Sequence, residues 1–239
     1  MNLNDLFRDL ALGELSNLSF TDDQITDTII PQRRPKVVVY ANEGLLALHS
    51  RFVLVEKDLL IEMREGMTNY HLLKRYAWSQ YDPENPPNRW EMPYIMDSVA
   101  EPFEEDVIKI LSVTNSFGDT MPLNDHEHTR SVFSPTSTVL QVPFPIPGQA
   151  LSIEYQAKHS KLDHCECGEE ILLPDVLWGA LKSFIAWKVY SHMNTQESTA
   201  KAQEHQMNYE SICQDVVEMD LVNTSSSTTN NRFEKRGFC

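Results

Sequence analysis

The chain has 239 residues, of which 41% are hydrophobic and 23% charged, a balance that excludes a collagen-like, rod-like or wholly disordered protein. Thirty-five acidic against 20 basic residues leave a formal charge of −15, which argues against a tight, sequence-reading grip on nucleic acid, because such binding draws on Lys and Arg neutralising phosphates. At roughly 150 residues per domain, the length fits one large domain or a core carrying an insertion.

Cys165, Cys167, Cys213 and Cys239 are too few and too scattered for a disulfide scaffold, so reduced thiols and folding in the cytosol are expected. Met1 to Asp5 lacks the basic and apolar regions of a signal peptide, and no apolar run approaches the ~18 residues that span a bilayer. The expectation is a soluble, intracellularly made chain with no membrane partner.

Taken in order, Leu3, Leu6, Phe7 and Leu10 recur at helical spacing and continue into Leu15 and Leu18, with Asn2 and Asp5 placed as a capping box. A polar connector ends at Arg34. Pro35 then stands at a first helical position, and Val37, Tyr40, Ala41, Leu45, Leu48, Phe52 and Val55 predict about five turns of amphipathic helix. Asp58 to Met63 and Met67 to Leu73, separated by Arg64-Glu65-Gly66, read as a hairpin. Tyr81 to Pro102 reads as loop, punctuated by Pro83, Pro86, Pro87 and Pro93. Val107 to Val113 reads as a strand followed by a turn over Asn115 to Asp119, and Thr138 to Phe144 with Leu151 to Ala157 as a further pair around Pro145 to Gly148. Helix returns from Pro174 to His192, and a longer polar helix is predicted from about Glu197 to Asp220 with a narrow seam of Tyr209, Ile212, Val216 and Met219. Residues 223–239 hold too little apolar surface to fold alone, which makes them a tail or an arm that borrows a surface.

Three constellations invite chemistry. His159, His164, Cys165 and Cys167 fall close together, but structural zinc favours two separated pairs at C-x2-4-C spacing and no second pair follows. His126 and Glu127 beside Asp125 and His128 can be drawn as a general base, yet no phosphate loop, nucleophile elbow or second acid cluster accompanies them. The run Glu101, Glu104, Glu105, Asp106 resembles paired carboxylates and reads as a solvated strand edge, with a channel-facing rim as the alternative. The residues assemble no nucleophile, base and oxyanion donors, so no enzyme and no cofactor are expected.

The two ends of the chain carry a resemblance. Leu3-Asn4-Asp5-Leu6-Phe7 with Gly13 to Leu18, then Ala41-Asn42-Glu43-Gly44-Leu45 through Phe52, and Tyr70-His71-Leu72-Leu73 after the Gly66 turn, look like the opening of the head-to-tail adaptor proteins of tailed bacteriophages. Leu172-Leu173-Pro174-Asp175, Asn194-Thr195-Gln196-Glu197, Lys201-Ala202-Gln203-Glu204, Tyr209-Glu210, Asn223 and Asn231 to Phe238 continue the series, while Tyr81 to Leu162 matches no such pattern. The resemblance implies a ring, usually twelve-fold, that docks under the portal protein after DNA packaging, presents a platform to a tail or nozzle protein, and sits in the neck of the virion after synthesis in the host cytoplasm. DNA would pass through without specific binding, which the acidic charge favours.

The resulting expectation is an α+β protein. Residues 1–56 and 171–222 form a helical bundle, residues 57–170 a β-rich insertion and residues 223–239 a C-terminal arm, whose partner-binding residues are Asn223, Asn231, Arg232, Phe233, Lys235, Arg236 and Phe238. The rival is a metal-stabilised binding module using the His159, His164, Cys165 and Cys167 cluster.

Overall fold

In a computed structural model of the chain, residues 1–222 are described except 17, 19, 23, 24, 83, 85–91, 164–168 and 194. The protein is of mixed α and β class, with four helices longer than one turn and antiparallel sheets among these residues. The arm, with its seven partner-binding residues, lies outside them, as do His164, Cys165 and Cys167.

Helix α1 (Leu3–Leu12) starts where the sequence marks it. Asn2 Oδ1 accepts from the Asp5 N–H at 3.0 Å and Asp5 Oδ2 accepts from the Asn2 N–H at 2.9 Å, which satisfies two N-terminal donors at once. The connector after it is not featureless: β1 (Thr21–Asp22) pairs with β2 (Ile25–Ile29). Helix α2 (Arg34–Arg51) has Pro35 in its first turn and stops short of the predicted Val55, because Phe52 turns extended. Helices α3 (Asp175–Ser191) and α4 (Gln196–Glu218) follow the predicted spans closely, and Thr195 and Ser198 cap α4 reciprocally. The apolar stripes of all four helices meet in one cluster, including Leu6, Phe7, Leu45, Leu48, Leu181 and Phe184. Gly44 lets α2 and α3 approach, since a Cβ there would stand 2.8 Å from Leu181 Cδ1 and 2.9 Å from Phe184 Cδ1.

A second apolar cluster is built by the strands between α2 and α3. β3 (Glu56–Glu62) pairs along its whole length with β9 (Ala150–Ala157), and β5 (Ile95–Met96) and β6 (Val107–Asn115) complete a sheet of order β5-β3-β9-β6. β4 (Asn69–His71), β8 (Val139–Gln141) and β7 (Phe133–Thr136) form the other, in the order β4-β8-β7.

The predicted hairpins are therefore corrected. The chain turns at Gly66, whose φ is +74°, but β3 and β4 enter different sheets. A seven-residue register with β9 satisfies more backbone groups than the three residues of β4 can offer, and it buries Leu59 and Ile61 beside Ile153 and Leu151. For the same reason Thr138 to Phe144 does not pair with Leu151 to Ala157. β6 is an edge strand with two bulges, a device that discourages edge-to-edge pairing.

Gln156 joins the two clusters. It is 4% exposed, and its Nε2 donates to the carbonyls of His49 and, at 3.0 Å, Phe52, the last acceptors of α2. The segment that leaves β9 runs back along α2, where the Asn42 amide bonds both the N–H and the C=O of Leu162, at 2.9 and 3.1 Å.

Candidate functional site

The acid run is not a uniform solvated edge. Asp106 is 8% exposed; Lys57 Nζ reaches its Oδ2 at 2.7 Å and the Tyr155 hydroxyl donates to its Oδ1 at 3.0 Å. Lys57 also meets Glu104 at 3.0 Å, and the Glu105 carboxylate accepts the Lys74 N–H at 3.1 Å. Burial works against the Lys57 ammonium, but its bonds to Asp106 and Glu104 outweigh that and raise its pKa. Burial, then the Asp106 charge, pushes the Tyr155 hydroxyl up. These groups clamp the start of β3 to the start of β6. Of the four acids Glu101, Glu104 and Glu105 are exposed, as the charge pattern predicts, and Asp106 alone is buried.

The His126 neighbourhood is built from contacts within one loop and its adjoining strand. The His126 ring lies 4.9 Å from Phe133, the Glu127 N–H is taken by Asp125, and His128 Nδ1 accepts from the Arg130 N–H at 3.2 Å. Asp125 and His128 are thereby engaged by backbone N–H groups of their own loop.

Of the metal-type cluster, His159 is described and its ring is fully engaged. Nε2 accepts the Leu172 N–H at 3.0 Å, which places the ring proton on Nδ1, and Nδ1 meets Ser160 O at 2.5 Å. No lone pair is left for a metal while these bonds hold. Among the described residues no group of three or more His, Cys, Asp and Glu stands close enough to hold one. His159 has instead a partner that sequence spacing does not reveal: His49, on α2, with ring centroids 5.6 Å apart at 79°. His49 is fully buried and no hydrogen bond reaches either ring nitrogen among the described residues. Burial, reinforced by His159, outweighs the opposing effect of the nearby backbone of Ala157 and Leu172 and holds its pKa below the ordinary value, which favours the neutral ring.

Helix α4 presents a different surface. It buries Ser198, Ala202, Tyr209, Cys213 and Val216 toward α3, leaves Ile212 half-buried, and exposes Met207, Val217 and Met219. The predicted seam thus loses Met219 and gains Cys213, whose thiol is pushed up by burial and is chemically quiet. Arg51, at the end of α2, pairs with Glu210 at 2.7 Å across this helix.

A final exposed group lies at the far end of the strands. Phe117, from the turn after β6, and Phe144 and Ile146, from the Pro-rich link between β8 and β9, border a groove of about 410 Å³. Sequence reasoning passes over them as turn residues; the available signal is an aromatic or aliphatic side chain set among Asn, Gly and Pro, where nothing local buries it. No described helix is long and apolar enough to cross a membrane. Comparison of the sequence with protein-family models and with curated proteins finds no match.

Proposed function

We propose that the chain is a structural virion protein, the subunit of a ring that joins a capsid portal to a tail and lets DNA pass. In this reading the four helices form the bundle of the ring body, residues 57–170 are an insertion carried by it, and the arm from residue 223 straps onto the portal or a neighbouring subunit. The ring has no catalytic role and no cofactor.

The observation that carries the proposal is the one-sidedness of α4. A helix of 23 residues packs a narrow side on α3 and leaves Met207, Val217 and Met219 to water. Covering such side chains with a neighbouring copy stabilises by about 25 cal/mol for each Å² of apolar surface removed from water. The charge of −15 supports the same reading, because a channel lined by excess acid repels phosphate and neither holds nor stalls DNA.

The test uses DNA-filled, portal-bearing heads that lack tails, incubated with the purified full chain. The expected result is saturable decoration of the portal vertex, resolved as a symmetric ring in averaged electron micrographs, from a chain that is monomeric or weakly associated beforehand. Deleting residues 231–239 is expected to leave the melting profile unchanged and abolish attachment. Bare heads at saturating protein overturn the proposal. A stable ring formed without heads overturns the part in which the portal templates assembly.

A further inference from the structure

Three large apolar side chains at the far end of the β-rich part stand in water: Phe117 is 77% exposed, Phe144 74% and Ile146 53%. They are not scattered. All three border the same groove, floored by Met121, Val142 and Leu151, with a volume of about 410 Å³, in the range of sites that hold a side-chain-sized ligand. Met63 is shared with a second depression of about 370 Å³, where Glu62 and Glu65 stand beside Met67. Arg64, between those acids, is spent on the carbonyls of Met92 and Pro93, and among the described residues neither Glu62 nor Glu65 forms an ion pair. The groove, whose lining also includes Asp119 and Arg130, therefore adjoins at Met63 a depression that carries two acids.

The chain contains one segment of matching chemistry. Arg232-Phe233-Glu234-Lys235-Arg236-Gly237-Phe238 interleaves two aromatic rings with three cations and one acid, whereas residues 1–222 hold 34 acidic against 17 basic residues. The 17 residues that follow residue 222 reach up to about 55 Å when extended, and Phe233 and Phe238 stand about 17 Å apart in that form. That is enough to set both rings along a surface rather than in a single hole.

We propose that the groove between Phe117 and Phe144 is the receptor for the C-terminal arm of a second copy of this chain, with Phe233 or Phe238 seated on its apolar floor and Lys235 and Arg236 turned toward Glu62 and Glu65. Donor arm and acceptor groove are different patches of one chain, so the contact is heterologous, and repeated around a rotation axis it closes a ring. The choice of a second copy rests on the ring reading; the groove and its chemistry do not.

The experiment uses the full chain with Phe233 replaced by the photoreactive p-benzoylphenylalanine, mixed with an equal amount of ¹⁵N-labelled full chain and irradiated across a concentration series. Mass spectrometry of the digest is expected to find residue 233 joined to peptides from 115–121 or 142–151, in light-to-heavy pairs whose yield rises with concentration. Phe117→Ser with Phe144→Ser is expected to remove that product. Both residues are solvent-exposed, so unchanged circular dichroism and melting of the variant exclude misfolding as the cause. Cross-links to the helices, cross-links confined to single chains at every concentration, or none at all overturn the inference. Native mass spectrometry of the same samples reads ring closure separately: groove cross-links in open dimers refute the ring and leave the groove assignment standing.

Discussion

Replacing Gln156 with leucine tests what holds the strands to the helices. The amide donates to two carbonyls, those of His49 and Phe52, at a site where Gln156 is 4% exposed. Each carbonyl left without a donor costs about 1–3 kcal/mol, and better burial of leucine returns about 1 kcal/mol. The net loss expected is about 1–5 kcal/mol, which for a chain of this size lowers the melting temperature by about 2–20 °C. Gln156→Glu sharpens the test. At neutral pH its carboxylate faces the negative end of α2 and is expected to cost more than leucine. Protonation restores one O–H donor, so its deficit relative to the wild type narrows as pH falls. Differential scanning calorimetry at a series of pH values reads both effects. A Gln156→Leu protein melting with the wild type, or a Gln156→Glu deficit independent of pH, refutes the reasoning.

Three further outcomes are expected. Gly44→Ala introduces a Cβ against Leu181 and Phe184, an overpacking cost of about 1–3 kcal/mol offset by about 1 kcal/mol of helix propensity, so the urea midpoint should fall slightly; a raised midpoint shows that those side chains yield freely. Lys57→Met leaves the buried Asp106 carboxylate without its cation and should cost about 1–2 kcal/mol, a figure reduced from that of a fully buried pair because Lys57 is 40% exposed; an unchanged urea midpoint removes the clamp from the account. His49 has a folded pKa below its unfolded one, so its contribution is fully present above the ordinary histidine value and is lost as pH falls through that value toward the folded one; His205, also held low by burial, acts in the same sense. His49→Leu should flatten the decline of unfolding free energy between about pH 7 and 5, and a slope equal to the wild type shows that His49 does not drive it.

The helices were legible because their signals are local. Asn2 with Asp5, Pro35, and Thr195 ahead of α4 mark starts, and residues such as Leu3, Leu6, Phe7 and Leu10 keep one face in register. The strands were legible as strands but not as partners, since pairing is decided by whichever distant strand completes the longest register, and Leu59 finds Ile153 rather than anything across Gly66. The strand Ile25–Ile29 is apolar only at its two ends, so a polar reading of the connector passes over it. At the candidate site, charge was legible and its partners were not: Asp106 belongs with Lys57, 49 residues earlier, and His159 belongs with His49 on another element. Both pairings arise only when β9 carries the chain back to α2. Exposed Phe117 and Phe144 went unremarked because a turn residue's burial depends on what else reaches the same end of the sheet.

The hydrogen bond from the Ala157 N–H to the Val55 carbonyl, 2.9 Å long, closes the stretch between α2 and the return to α3 like the neck of a purse. Everything from residue 55 to residue 157 departs from and comes home to one spot. A genetic exchange that cuts at those two points swaps the whole outgrowth while α2 and α3 keep their connectivity, provided the incoming piece returns a donor to the carbonyls of His49 and Phe52 as Gln156 does. A chain built on this helical base is therefore free to change what the base carries. The region from Tyr81 to Leu162 lies almost wholly inside that exchangeable piece.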